Sequence, residues 1–445
     1  MPAERLYYAD SALHRFTATV TDIRERSRTG SASLWQIALD RSAFYPTSGG
    51  QPHDTGTLTA TAPSGARLEA PIVDVEEDEQ GELWHLTPKP VLAGTPIEGR
   101  IDTARRLDHM QQHSGQHLLS ALFYRELGAA TVSFHLGETV STIDLNTESL
   151  GPSALANIEQ LANAIVAEAR PLALRTITAA EAEALLANGT LRKLPAREGD
   201  IRLIVIAGNP AAGAIAGESA AGAENHPDLD VNACGGTHVA STSQIGAVLI
   251  RGTERIRQST RVSFLCGSRA IAAARADDTQ LTQLGRELSV GRADLPAALA
   301  RVKADLRAAA KERQALREDL ANYHASRLLV EDPPHDDLRI VRRIFPDRDA
   351  DYAKLLASRL ISAAPHTVAL LASTQQPNSA ASVVVGCSLN LGRNAGELLR
   401  AALAPAGGRG GGSASLAQGL VAAENLAAAF DALESLLRAK PVPAV

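Results

Sequence analysis

The sequence has 445 residues, and at roughly 100–200 residues per domain this predicts two to four domains with ordinary apolar cores. A net charge of −6 argues against wholesale coating of nucleic acid while leaving room for a local basic face, and three scattered cysteines, Cys234, Cys266 and Cys387, are too few for a disulfide framework. No run of about 18 apolar residues and no apolar leader after Met1 is present, so a cytoplasmic protein without a membrane span is expected.

Residues 1–100 read mainly as strands. Leu13 to Ile23 and Ser33 to Leu39 carry alternating or β-branched runs, and further strands are predicted at 68–75, 82–86 and 97–101. The Gly-, Pro- and Asp-rich stretch 41–56 between them reads as a long loop. A small twisted sheet or barrel fits this spacing. Asp102 then caps a helix that runs to Leu127 and stops at Gly128.

An α+β region follows. It has strands at 139–145, 172–176 and 201–207, helices at 152–169 and 179–187, and strands again at 245–250 and 260–265. The Ala/Gly-rich stretch Gly208 to Ala223 has neither period and reads as a flexible insertion. From Ser268 to Leu329, Leu299, Val302, Leu306 and Leu316 among Arg, Lys and Glu predict an amphipathic helical hairpin broken near Gly291 and Pro296. It is a linker or dimerisation arm, which leaves a homodimer open. Residues 335–445 alternate again, with strands at 338–344, 366–372 and 382–387 and two helices flanking a glycine-rich loop, Gly407 to Gly412.

Two pairs of residues carry metal chemistry. His113 and His117 stand one helical turn apart, so both imidazoles leave the helix on one face. Cys234 and His238 are separated by Gly235-Gly236-Thr237, and the glycines permit a tight turn that brings a thiolate and an imidazole onto one ion. Three nitrogens and one sulfur suit tetrahedral zinc better than magnesium or calcium, which prefer oxygen. His109, four residues before His113 on the same helix face, is read as a surface residue, with a place behind the ligands as the alternative, and Cys266 and Cys387, in apolar strands, as buried and inert. Arginines cluster at 100, 105 and 106, at 251, 255, 257 and 261, and at 393, 400 and 409, where phosphate contacts are conceivable.

Met110 to Leu119, with His113 and His117, resembles the first zinc motif of alanyl-tRNA synthetase editing domains and AlaX editing proteins. Cys234-Gly-Gly-Thr-His238 resembles the second, and Phe44 to Gly56 the glycine motif that precedes both. Gly408 to Gly412 followed by Leu416 to Gly419 is similar to the DHH-associated domain at the end of the same family, although Ser413-Ala414-Ser415 departs from the family pattern. No class II aminoacylation region precedes the glycine motif in this sequence, which points to the large, freestanding AlaX type.

The resemblance implies an α+β fold class. The expected domains are an N-terminal small β-barrel over 1–100, an α+β zinc-containing editing domain over 101–267, a helical linker or dimerisation arm over 268–334, and a C-terminal α/β tRNA-binding domain over 335–445. It also implies a zinc-dependent deacylase of Ser-tRNA(Ala), with Gly-tRNA(Ala) as a further substrate. Threonyl-type editing of Ser-tRNA(Thr) and a non-catalytic zinc-stabilised tRNA-binding protein are the alternatives.

Zinc would activate water, polarise the carbonyl or hold the substrate, and the residues alone do not choose. Serine differs from alanine by one hydroxyl, so selection needs a polar partner that alanine leaves unsatisfied. Thr47, first, and Gln51 are the side chains in the glycine loop for that role. Gln116, between the two histidines, is a third polar candidate.

Overall fold

The computed structural model describes residues 2–29, 32–62, 64–194, 199–208, 228–374 and 380–438. The chain divides into two units, Met1–Gln283 and Leu284–Val445. Helix and strand are mixed in both, with several separate sheets, as an α+β reading expects. Residues 209–223 of the predicted insertion lie outside the described residues.

In the first unit a seven-stranded sheet runs in the order Arg67–Ile72, Gly56–Thr61, Pro96–Ile101, Arg15–Thr29, Ala32–Leu39, Leu83–Thr87, Asp74–Glu77. Its two end strands are consecutive in the chain, with Val73 alone between them. Phe16, Val20, Ile37, Phe44, Leu58 and Ile101 form its core. Helix α1, Thr103–Leu127, follows directly. The Asp102 carboxylate accepts from the Ala104 and Arg105 N–H groups at 3.0 and 3.1 Å, and Gly128 closes the helix in the left-handed conformation, as predicted from those residue types.

Helix α1 lies against a four-stranded sheet, ordered Thr131–Leu136, Ser141–Leu145, Ser259–Cys266, Val248–Ile256. It approaches closely at Gly115, where any side chain would overlap the Cys266 thiol. A three-stranded sheet, Leu172–Ile177, Ile201–Ile206, Asp230–Ala233, completes the unit together with α2, Pro152–Ala167, and α3, Ala179–Ala187.

The unpredicted strands include Gly56–Thr61, Thr131–Leu136, Asp230–Ala233, Leu416–Ala422 and Arg409–Gly412. The last corrects the glycine-rich loop of the C-terminal region. Those glycines form an edge strand paired with Leu416–Ala422. Two helices also form on either side of the break predicted near Gly291 and Pro296. Helix α4, Gly267–Glu287, and α5, Leu295–Glu331, have a short 3-10 turn between them, and residues 299–316 of α5 stand exposed, Leu306 at 70%.

The second unit is built on a five-stranded sheet ordered Arg339–Phe345, Thr367–Ser373, Ala380–Cys387, Leu416–Ala422, Arg409–Gly412. The first pairing is parallel and the other three are antiparallel. Helix α6, Ala350–Ala363, and the end of α5 cover one face. Helices α7, Ala395–Leu403, and α8, Leu426–Arg438, cover the other. No helix among the described residues is long and apolar enough to cross a membrane.

Candidate metal centre

Helix α1 is buried from His109 to Phe123 except at half-buried Gln111, yet seven of the buried side chains are polar: His109, Gln112, His113, Ser114, Gln116, His117 and Ser120. Buried polar groups cost stability unless paired, so such a stretch is built around its partners. Gln112 binds the end of a strand, donating to Cys266 O at 3.0 Å and accepting from Cys266 N at 2.9 Å. His113 and His117 stack with ring centroids 5.3 Å apart.

The strand Asp230–Ala233 delivers the second pair. Cys234 follows it directly, and the chain turns through Gly235 and Gly236 to His238. Arg202 pins the turn by donating to Cys234 O and Gly236 O, both at 2.8 Å, and to Tyr8 O at 3.2 Å. Gly236 has no room for a side chain, which would overlap the His113 ring. One ligand atom from each of His113, His117, Cys234 and His238 lies within 4.8 Å of the others. Cys234 Sγ is 3.4 Å from His113 Nε2 and 3.2 Å from His238 Nε2.

The side chains fit a soft divalent ion. Both ring nitrogens of His117 are buried with no hydrogen-bond partner among the described residues, an expensive arrangement that a metal ligand bond would relieve at one of them. Burial alone would raise the Cys234 thiol, but the His113 and His238 rings outweigh it and hold the thiol well below its ordinary value. Burial pushes His238 down to about 3, towards the neutral, ligating form. For His117 burial is overcome by Asp230 and Cys234, and the ring is drawn up to about 9.

The glycine loop reaches the same place. Gly49 and Gly50 both adopt positive φ, 54° and 80°, between Ser48 and Gln51, which pair back on one another. Such a turn demands glycine. Gly50 packs on Phe134, where an added side-chain carbon would stand 2.9 Å from the ring. Arg106 and Asp54, both buried, tie the loop to α1, with Arg106 also donating to Ser11 O and Ala43 O. Arg106 is therefore a structural brace, not a free phosphate contact. Arg261 is likewise engaged, with Asp144 at 2.7 Å.

A cavity of about 880 Å³ opens between the loop and the cluster. His113, His117, Cys234, Gly236, Ser48, Gly49, Tyr8, Tyr45 and Phe134 are among its lining residues. Three of the chain's six tyrosines meet beside it, Tyr7, Tyr8 and Tyr45. Their role escaped the sequence reading, although concentrating so scarce a residue was a usable signal.

The three polar candidates are placed differently from one another. Gln51 is fully buried. Its Oε1 accepts from His113 Nδ1 at 2.9 Å and Thr237 N at 3.1 Å, and its Nε2 donates to Thr237 Oγ1 at 2.8 Å. The structure makes it a brace for the cluster and leaves its amide oxygen no room to read a substrate hydroxyl. Thr47 is exposed, with its hydroxyl 3.0 Å from His53 Nδ1, and it is not among the residues lining the cavity. Gln116 is buried, donating to Ser120 Oγ at 2.7 Å, with its Oε1 unpartnered among the described residues. His109, expected at the surface, is buried and pushed by burial down to about 4. Cys266 and Cys387 are buried as expected, with burial raising both thiols.

Two families match the chain. The threonyl and alanyl tRNA synthetase second additional domain matches residues 223–261, which hold Cys234 and His238, and the DHHA1 domain matches residues 339–439. The alanine–tRNA ligase of Pyrococcus abyssi is 29% identical over 97% of this chain and 43% of its own length. That of Halobacterium salinarum is 31% identical over 73% of this chain and 32% of its own length. The chain thus spans less than half the length of the curated relatives it matches. The C-Ala domain of Aquifex aeolicus alanyl-tRNA synthetase is similar at 25% identity, covering 24% of this chain and 98% of that one, with a TM-score of 0.22.

Proposed function

Because the chain is a relative of the alanyl-tRNA synthetases over nearly all of its length, we propose that it hydrolyses the ester of mischarged Ser-tRNA(Ala), and of Gly-tRNA(Ala), with zinc held by His113, His117, Cys234 and His238. The observation that carries the reading is the four-residue cluster, three of whose members, His113, His117 and Cys234, line a cavity together with Ser48 and Gly49 of the glycine loop. The N-terminal sheet, whose end strands meet at Val73, is read as a barrel that presents this loop.

In the reaction, water adds to the aminoacyl carbonyl and the ester C–O bond breaks. Serine and the free ribose hydroxyl leave, with one proton released. Zinc, when bound, would supply charge stabilisation at that carbonyl or a fixed point for the substrate. The protein's own part is placement. Tyr45 Oη donates to Ser48 O at 3.1 Å and fixes the edge of the glycine loop, whose exposed backbone at Gly49 is free of side-chain bulk. Gln51 locks His113. Reading of the serine hydroxyl is assigned to the glycine loop, and Thr47, next to cavity-lining Ser48, is the first side chain to test.

For the partners, the reading takes tRNA(Ala) bound with help from the DHHA1 region and a homodimer through α5. Leu299, Val302, Leu306 and Leu316 recur along α5 at spacings that place them on one exposed seam, which supports the second copy. The test is deacylation of Ser-tRNA(Ala) beside Ser-tRNA(Thr). Faster turnover of Ser-tRNA(Ala) is expected. Preference for Ser-tRNA(Thr) would transfer the protein to threonyl-type editing, and inertness to both would leave a tRNA-binding protein.

A further inference from the structure

Two of the three histidines turn Nε2 towards the Cys234 sulfur and Nδ1 into the protein. For His113 the inner acceptor is Gln51 Oε1 at 2.9 Å, and for His238 the inner partner is Ser114 Oγ at 3.3 Å. His117 has neither kind of partner at hydrogen-bond distance among the described residues. The anion facing its Nδ1 is Asp230 Oδ2, 3.7 Å away.

Asp230 is a prepared group. It is 6% exposed. Arg192 Nη2 holds its Oδ1 at 2.7 Å, and Asn232 Nδ2 donates to Oδ2. Side chains alternate along a strand, so Asp230, Asn232 and Cys234 leave the chain on one face. The strand that delivers the thiolate therefore also delivers the carboxylate. A shift of roughly 0.7 Å would bring Nδ1 and Oδ2 to the usual N–H···O separation of about 3.0 Å.

A metal-ligating imidazole commonly donates its other N–H to a carboxylate, carbonyl or water, which sets its tautomer and strengthens it as a ligand. We propose that Asp230, anchored by Arg192 and Asn232, is the positioning residue of His117. It accepts the Nδ1 proton and keeps Nε2 free for the metal. The inference rests on the zinc reading above. Its distinctive content is inequality: His113 and His238 lean on neutral groups, and His117 alone leans on an anion. Zinc affinity then depends on the charge at position 230 and much less on the arginine behind it.

The test uses the full chain with Asp230→Asn, Asp230→Ala and Arg192→Met. Zinc affinity is measured by competition with a chromophoric chelator, the cobalt-substituted absorption spectrum is recorded, and the EDTA-stripped proteins are melted. Asp230→Asn, with a neutral acceptor, should lose roughly 10-fold in zinc affinity and Asp230→Ala nearer 100-fold, each with a changed cobalt spectrum. Stripped Asp230→Asn should melt near stripped wild type, and Arg192→Met should hold zinc within a few-fold. Wild-type zinc affinity and spectrum in both Asp230 variants would overturn the inference alone. Equal losses in Arg192→Met and Asp230→Ala would also overturn it, because affinity would then follow the stability of the strand. A wild-type chain that takes up no zinc would sink this inference and the zinc reading together.

Discussion

Replacing Gln51 with methionine removes an amide that is fully buried and triply bonded. Methionine fills similar volume, so the main loss is polar. Two buried donors are stranded, His113 Nδ1–H and Thr237 N–H. Each stranded buried donor costs about 1–3 kcal/mol, so zinc-loaded Gln51→Met should be less stable by about 2–6 kcal/mol. His113 also loses the group that fixes its tautomer, which should weaken zinc roughly 10- to 100-fold. Gln51→Glu keeps an oxygen for both donors, and the Thr237 hydroxyl can rotate to donate in turn. It should hold zinc within a few-fold of wild type. Denaturant unfolding, chelator competition and the Ser-to-Ala deacylation ratio on tRNA(Ala) form the assay. The brace account is refuted if Gln51→Met keeps its stability and zinc while its preference for serine over alanine collapses. That result would return Gln51 to hydroxyl recognition.

Two further outcomes are expected. His85 is completely buried, donating from Nδ1 to Ile37 O at 3.0 Å with Nε2 2.7 Å from Ser42 Oγ, and burial pushes it from 6.5 down to about 4. The unfolded chain therefore binds a proton first, so stability is full above pH 6.5 and falls by about 3 kcal/mol as pH drops from 6.5 through about 4. Urea titrations of His85→Gln should show a flatter slope in that window, and an unchanged slope would exclude His85 as the source. Gly236→Ala should push the His113 ring aside and cut zinc uptake at least 10-fold, measured by metal analysis after gel filtration. Normal zinc content would mean that the turn at 236 yields without moving the ligand.

Much of the frame was legible because local chemistry agreed with the tertiary outcome. Asp102 and Gly128 bound α1 to the residue, and α3 spans the predicted 179–187. Of the missed strands, Arg409–Gly412 is nearly all glycine and offers no side-chain pattern to read. Asp230–Ala233 is a four-residue strand whose existence depends on pairing with Ile201–Ile206, which periodicity cannot reveal. Arg409–Gly412 is an edge strand defined by its pairing with Leu416–Ala422, which is equally invisible to periodicity.

At the centre, one helical turn and one glycine turn are local geometries that singled out the four clustered residues, and the resemblance to the editing-domain motifs, more than the spacing, joined the two pairs into one metal site. The groups behind them were not readable. Gln51 lies 62 residues from His113 and 186 from Thr237, and nothing local signals either contact. The same holds for His109, whose burial comes from the packing around α1 and not from its own neighbours in sequence.

The central claim is that zinc on these four side chains supports removal of serine from tRNA(Ala). The most direct measurement incubates the full chain and Cys234→Ala with Ser-, Gly- and Ala-charged tRNA(Ala), with zinc quantified on the same samples. The account predicts about one zinc per wild-type chain, faster loss of serine and glycine than of alanine, and loss of both metal and activity in the variant. Cys234→Ala that keeps its zinc and its deacylation, or a zinc-loaded wild-type chain that leaves Ser-tRNA(Ala) intact, would contradict it.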